Sequence, residues 1–238
     1  MKKLLLLVLA ITTAYMALDA STPANQAAKN AARRPDMAKI KEEVNNPESQ
    51  YYYPKLIKMY EQNETIMNLE QYRHLYLGTI FQEDYNPYRH SPLSASIEAL
   101  YYKKDKHTNA ELDSIISSAE RLLEDDPFDL SQINYLIFAL RHRGKNNRAD
   151  IWQYRLNHLL QAIISTGTGL DTENAWFVIN PRHEYNIINF KNEVAQGQDY
   201  VEPYFDHISL KKTNDKSPAG YYFNIRYILE EYYRKFPE

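Results

Sequence analysis

Three amphipathic helices in tandem are the feature that most constrains the fold of this chain of 238 residues. Between residues 108 and 165, apolar side chains recur every three or four positions in three successive runs, which are separated at Asp126-Pro127 and at Gly144. This period places the apolar side chains of each run on one face of a helix. Because short loops join the runs, neighbouring helices should be antiparallel. The pattern predicts helical hairpins that resemble one tetratricopeptide-type unit, with no second copy at that period.

Weaker apolar periods upstream predict three further helices, which begin at Pro35, Pro54 and Leu69. Two helix starts carry a capping signature, in which a polar cap is followed three positions later by Glu or Gln. These pairs are Asn68 with Gln71 and Thr108 with Glu111. The helical region is therefore predicted to span residues 35–167.

The pattern changes after Thr166-Gly167-Thr168-Gly169, where the helical period ends. Three short apolar or alternating runs follow and predict strands at Trp176–Ile179, Asp206–Leu210 and Tyr221–Ile225. Short strands are marginal alone and need one another and a helical cover. The fold class is therefore predicted as α+β and mainly α, with a small antiparallel sheet and covering helices in residues 168–238, packed on the helical region.

The last strand has a predicted register. Alternation should turn Tyr221, Phe223 and Ile225 inward, and Tyr222 and Asn224 outward or to the edge.

The N-terminus has the pattern of an export signal. Met1-Lys2-Lys3 is basic and Leu4–Ile11 is an unbroken apolar run. A membrane-spanning helix needs about 20 apolar residues, and Asp19 closes this stretch early. We expect a signal peptide at residues 1–20, cleaved after Ala20, and a flexible leader at residues 21–34. The mature protein is then periplasmic or extracellular and keeps no membrane span.

Composition excludes several kinds of chemistry. The chain has no cysteine, so disulfides, thiol catalysis and thiolate zinc sites are excluded. Without residues 1–20 it carries 26 basic and 30 acidic residues, which gives no indication of a nucleic-acid partner. Tyrosine is unusually frequent, with 21 residues. Most of these rings are expected to pack at the edges of the core, and the alternative is a surface that stacks on a glycan or peptide.

One connection between helices has the composition of a ligand site. Its candidate ligand-binding residues are Glu83, Asp84, Tyr85, Asn86, Tyr88 and His90. Adjacent carboxylates can serve acid/base chemistry or hold a cation. The alternative is a structural loop, whose acids cap helices and whose tyrosines pack beneath it. In either case we expect the loop to pack against the helix that carries Tyr72 and Tyr76.

Other catalytic motifs are incomplete. His183-Glu184 lacks a second histidine one turn later, because Ile187 stands there, and the remaining histidines have no ligand spacing. The glycines of residues 166–169 lack the lysine of a phosphate loop, and no Gly-x-Ser-x-Gly elbow is present. We therefore predict no catalytic residues, no metal site and no cofactor.

Several segments together resemble the bacterial domain of unknown function 4919 family, from about residue 36 to the C-terminus. These segments are Tyr51–Leu56, Tyr72–Tyr76, Phe81–Tyr88, Ser165–Gly167, Trp176–Ile179, Glu184-Tyr185 and Tyr222–Ile225. The resemblance implies an exported bacterial protein and assigns no activity.

Two functions follow as hypotheses. The first is a non-catalytic binding or assembly module for a peptide, a glycan or a partner protein outside the cytoplasm. The second is a hydrolase-type enzyme that uses Glu83, Asp84 and Tyr85, with Tyr88 and His183 as further candidates. A shallow groove lined by aromatic rings would favour the first, and a pocket that gathers those groups with perturbed pKa values would favour the second.

Overall fold

The computed structural model describes residues 33–212 and 218–237. The predicted signal peptide and almost all of the predicted leader lie outside these residues. Within them the fold is mainly helical with one small sheet, as expected for the α+β class. In this part of the chain no helix is long and apolar enough to cross a membrane.

The elements follow one another in two groups. The helical group consists of α1 (Met37–Asn45), α2 (Tyr53–Glu61), α3 (Leu69–Gly78) with a 3-10 turn at Thr79–Phe81, α4 (Pro92–Tyr101), α5 (Asn109–Asp125), α6 (Leu130–His142) and α7 (Asn146–Ile164). The C-terminal group consists of β1 (Trp176–Phe177), α8 (Arg182–Phe190), β2 (Ala195–Val201), β3 (Phe205–Leu210), β4 (Gly220–Asn224) and α9 (Arg226–Lys235).

Both predicted capping boxes are present and fix the starts of α3 and α5. Asn68 Oδ1 accepts from the Gln71 amide at 3.0 Å, and Gln71 Oε1 accepts from the Asn68 amide at 2.9 Å. Thr108 and Glu111 exchange the same pair of bonds. Each box satisfies two of the amide groups that a helix N-terminus leaves without partners.

The long helices pack in chain order. α5 contacts α6, α6 contacts α7, and α3 lies against α7. Their shared core is apolar and fully buried at residues such as Leu75, Ile115 and Ile133. Successive hairpins therefore form, while the tetratricopeptide-type arrangement stays a prediction.

Helix α4 was not predicted, although its signals are present. Ser91 caps it by accepting from the Leu93 amide, Pro92 stands at its first position, and Ile97 is its buried residue. The other residues of this helix are exposed or half-buried, which shows that the rest of the protein covers only one of its sides.

The sheet has four strands in the order β1-β4-β3-β2. β1 runs parallel to β4, and the other two pairs are antiparallel. The prediction of a purely antiparallel three-stranded sheet was therefore wrong. β2 was missed because Ala195–Val201 is an edge strand that is largely exposed on both faces, so its sequence shows no apolar alternation.

The predicted register of β4 is confirmed at its apolar positions. Tyr221, Phe223 and Ile225 are buried, and Tyr222 is half-buried. The prediction for Asn224 was wrong, because it is only 3% exposed. Its side chain accepts from the Arg226 amide at 3.2 Å, so it serves the turn into α9 instead of facing solvent.

Candidate functional site

The predicted ligand loop joins α3 to α4, and two of its tyrosines bond to the C-terminal group. The hydroxyl of Tyr85 donates to the Ile179 carbonyl at 2.8 Å, and that of Tyr88 donates to the Ile228 carbonyl at 3.1 Å. The half-buried Tyr85 ring also packs against the main core. Both hydroxyl bonds therefore go to the C-terminal group, in addition to the packing on α3 that the sequence predicted.

Only part of the predicted residue set is gathered in one place. Asp84, Tyr85 and Asn86 line a cleft of about 220 Å³, together with His183. Glu83, Tyr88 and His90 are exposed and are not among the residues that line it. Both adjacent carboxylates are exposed, and only Asp84 lines the cleft.

Several loop contacts fix its shape. Asn86 Oδ1 accepts from the Tyr88 amide at 3.1 Å. The Arg89 guanidinium donates to the carbonyls of Asp84, at 3.1 Å, and Asp125. These bonds satisfy the loop's own main chain, as in a structural connection.

His183 is buried and its ring nitrogens are engaged. Nδ1 lies 2.7 Å from the Tyr76 hydroxyl, which also accepts from the Ile179 amide at 3.3 Å. The ring also bonds to the main chain of Phe128. Burial lowers the pKa of His183 to about 3, so the imidazole is neutral. In this arrangement both ring nitrogens are bonded within the core, so neither can contact a substrate.

Asp126 is the carboxyl in this cleft with a pKa close to neutrality. Burial, aided by the negative charge of Asp129, raises the pKa of Asp126 to about 6, and Arg182 opposes that rise. The Arg182 guanidinium lies 4.0 Å from Asp126 Oδ2 and 3.3 Å from Asp129 Oδ2. No set of three or more His, Asp or Glu side chains within residues 33–212 and 218–237 could hold a metal ion.

A second concave surface lies between α4, α6 and α8 and has a volume of about 530 Å³. We call it the tyrosine groove. Each helix contributes residues spaced three or four positions apart, which lie on one helix face. On α8 these are Arg182, Tyr185, Asn186 and Asn189, whereas Ile187 and Ile188 on the same helix point into the core.

The groove presents aromatic rings that are held in place. Tyr102 is 63% exposed and Tyr185 is 42% exposed. The ring of Tyr101 lies 4.9 Å from that of Tyr102 and 4.4 Å from that of Tyr135, measured between centroids. The Tyr185 hydroxyl donates to Gln198 Oε1 at 2.7 Å. Each of these rings therefore has a packing or hydrogen-bond partner within the protein.

Two amide oxygens among the residues that line the groove have no hydrogen-bond partner in the described part of the chain. They are Gln132 Oε1 and Asn186 Oδ1. Gln132 is only 1% exposed, while the other end of the Asn186 amide donates to Ser131 Oγ at 2.9 Å. A buried acceptor without a partner costs about 1–3 kcal/mol, so each of these two oxygens is an unfavourable feature of the fold as it stands.

The sequence contained a signal for this groove that our prediction did not use. The apolar and the polar residues of α8 alternate with a helical period, so this helix has one face in the core and one free polar face that carries Tyr185. Three helices from distant parts of the chain form the groove, and no local pattern brings them together.

Fold and groove together define a mainly helical α+β domain with an open surface rich in tyrosine and amide side chains. The chain belongs to the family described as a domain of unknown function (DUF4919), whose family model matches residues 38–234. This confirms the resemblance found in the sequence. No curated protein and no solved structure matches the chain.

Proposed function

We propose that this protein is an exported, non-catalytic binding module whose ligand lies in the tyrosine groove. The observation that carries the proposal is the combination, in one groove, of exposed Tyr102 and Tyr185 with a lining rich in amide side chains. Ligand sites are typically lined by aromatic side chains and a few converging polar groups.

Volume favours this groove over the cleft beside the predicted loop, and charge pairing favours it over a larger cleft beside α9. Ligand pockets usually measure about 300–1,000 Å³, and the cleft beside the predicted loop, at about 220 Å³, is smaller. A larger cleft of about 660 Å³ lies beside α9. Its Arg226 and Arg234 already pair with Glu230 and Glu231 at 2.7 Å, so those cations are matched within the helix. The loop residues Glu83 to His90 stay a predicted second contact region.

Export is part of the proposal and is supported by the basic start and short apolar run of residues 1–11. We expect the exported protein to begin at Ser21. Intact-mass measurement of the protein recovered outside the cytoplasm of the producing cell checks this, and an exported form that retains Met1 would contradict it.

A hydrolase remains the second candidate because Asp126, with its raised pKa, lines the cleft together with Asp84. A carboxyl with a pKa near neutrality can act as a general acid. His183 is bonded within the core and Glu83 does not line the cleft, which argues against the predicted catalytic set as a whole. Hydrolysis of a screened compound that disappears in Asp126→Asn would favour this candidate.

A thermal-shift screen of the mature chain with peptides, glycans and divalent ions tests the binding proposal. A ligand at 100 times its Kd stabilises the native state by about 2.7 kcal/mol. We expect the shift to be lost in Tyr102→Ala and Tyr185→Ala and to persist in Tyr233→Ala. Tyr233 is a matched control because it is 57% exposed and lies on α9, away from the groove.

The same screen locates the site if the proposal is wrong. A shift that survives both groove variants and is lost in Asp84→Asn or Asn86→Ala would place the ligand at the predicted loop. A screen that gives no shift with any class of compound would count against a binding module.

A further inference from the structure

On the basis of the proposed function, we infer that the ligand of the tyrosine groove is a neutral oligosaccharide. Three properties of the groove lead to this class: its exposed ring faces, the hydrogen-bond character of its polar groups, and its balanced charge.

The exposed rings suit the faces of sugars. A pyranose ring carries C–H groups on its faces and hydroxyls around its edge, so it stacks on a flat aromatic ring while its edge reaches polar neighbours. Tyr102 at the end of α4 and Tyr185 on α8 provide two such rings on different walls of the groove.

The polar groups of the groove match hydroxyl groups. The lining includes the amides of Gln132, Asn134, Asn186 and Asn189, and an amide offers both donors and an acceptor. A sugar hydroxyl also donates one hydrogen bond and accepts others. The unpartnered atoms of Gln132 and Asn186 are both acceptors and are buried, so an occupant that brings donors satisfies them when these side chains turn towards the groove.

Charge in the groove is low. The cationic side chain that lines it, Arg182, is already paired with Asp129 at 3.3 Å, with Asp126 close by. An acidic sugar would therefore find no free cation among the lining residues, and a neutral one needs none. Glu98 is exposed on the opposite wall and can accept from further hydroxyls.

A peptide fits this groove less well. Addition of a strand requires an exposed sheet edge, and binding of an amphipathic helix requires an apolar groove. The walls here are helices with a mostly polar lining. A proline-rich segment docks on aromatic rings, but proline has no N–H to donate to the two free oxygens.

Isothermal titration of the mature chain with neutral cello-, xylo-, malto- and chito-oligosaccharides tests the inference. Extended peptides, proline-rich and alanine/serine-rich, are titrated at the same concentrations. We expect at least one sugar series to bind, and Tyr102→Ala and Tyr185→Ala to weaken it about tenfold, which corresponds to about 1.4 kcal/mol. Tyr233→Ala should bind as the wild type does.

The variant Gln132→Met tests whether Gln132 contacts the ligand or only supports the fold. Removing the unpartnered oxygen at similar volume should leave the fold as stable or more stable, since the acceptor has no partner to lose. The same variant should weaken sugar binding. An unchanged sugar affinity would remove Gln132 from the site and count against the inference.

The outcomes distinguish the inference from the function on which it rests. Peptide binding that depends on Tyr102 and Tyr185, without sugar binding, would overturn the oligosaccharide and keep the binding module. Sugar binding that is unaffected by both variants would overturn the groove as its site. Absence of binding in both series, with folded protein, would overturn both proposals.

Discussion

Phe223→Ala should lower the free energy of unfolding by about 3–5 kcal/mol, as expected when a buried aromatic side chain is removed. Phe223 is fully buried in β4, and its ring lies 5.7 Å from that of Trp176. β4 lies between β1 and β3, so the vacated space is enclosed on both sides and collapses poorly. Urea denaturation followed by circular dichroism measures the loss.

Tyr222→Ala is the matched control for this prediction. Tyr222 is the neighbouring residue on the opposite face of the same strand; it is half-buried, and its ring lies 4.5 Å from that of His207. The loss should be clearly smaller, since part of this side chain already lies in solvent. Equal losses for the two variants would contradict the register of β4.

Glu184→Gln should stabilise the protein at neutral and alkaline pH, by about 2–3 kcal/mol at pH 7. Glu184 is fully buried on α8, and its carboxyl group lies beside that of Asp206. Burial, together with the nearby charge of Asp206, raises its pKa from 4.5 to about 9. Glutamine keeps the size of the side chain and needs no proton to be neutral.

The pH dependence has a definite sign. Because the pKa of Glu184 is higher in the folded state, its contribution to stability is fully present below pH 4.5 and is lost as the pH rises towards about 9. The pKa of Asp206 is also raised by burial, so it acts in the same direction. The wild type should therefore lose stability over this interval, and the variant should lose much less.

Chemical denaturation at several pH values between about 5 and 9 measures this difference. Glu48→Gln is the control, because Glu48 is exposed and its replacement should change stability by less than about 0.5 kcal/mol. A wild-type stability that stays constant over this range would show that Glu184 does not titrate as described.

Local signals in the sequence predicted the parts of the fold that local interactions determine. The capping pairs at Asn68 and Thr108 are contacts within one helix turn, and both were found as expected. Alternation located Phe223 correctly because one face of β4 is buried. β2 gave no such signal, since its pairing with β3 satisfies the main chain without burying its side chains.

The candidate site depends on long-range packing and could not be predicted in the same way. The carboxylates of Glu83 and Asp84 are adjacent in sequence, but only Asp84 lines the cleft. Gln132 and Tyr185 are separated in the chain by α7 and β1, and they line one groove only because α8 lies against α6. A polar residue on one helix gives no indication of which distant helix will face it.

The walls of the tyrosine groove come from both sides of the change in pattern at residues 166–169, with α4 and α6 before it and α8 after it. Hydrogen bonds from Tyr85 to Ile179 and from Asn186 to Ser131 cross the same boundary. If the chain were produced as two separate fragments divided there, neither fragment would carry a complete groove. If the groove binds a ligand as proposed, binding would then measure reassociation of the fragments, because the groove is complete only when the two groups of elements pack together.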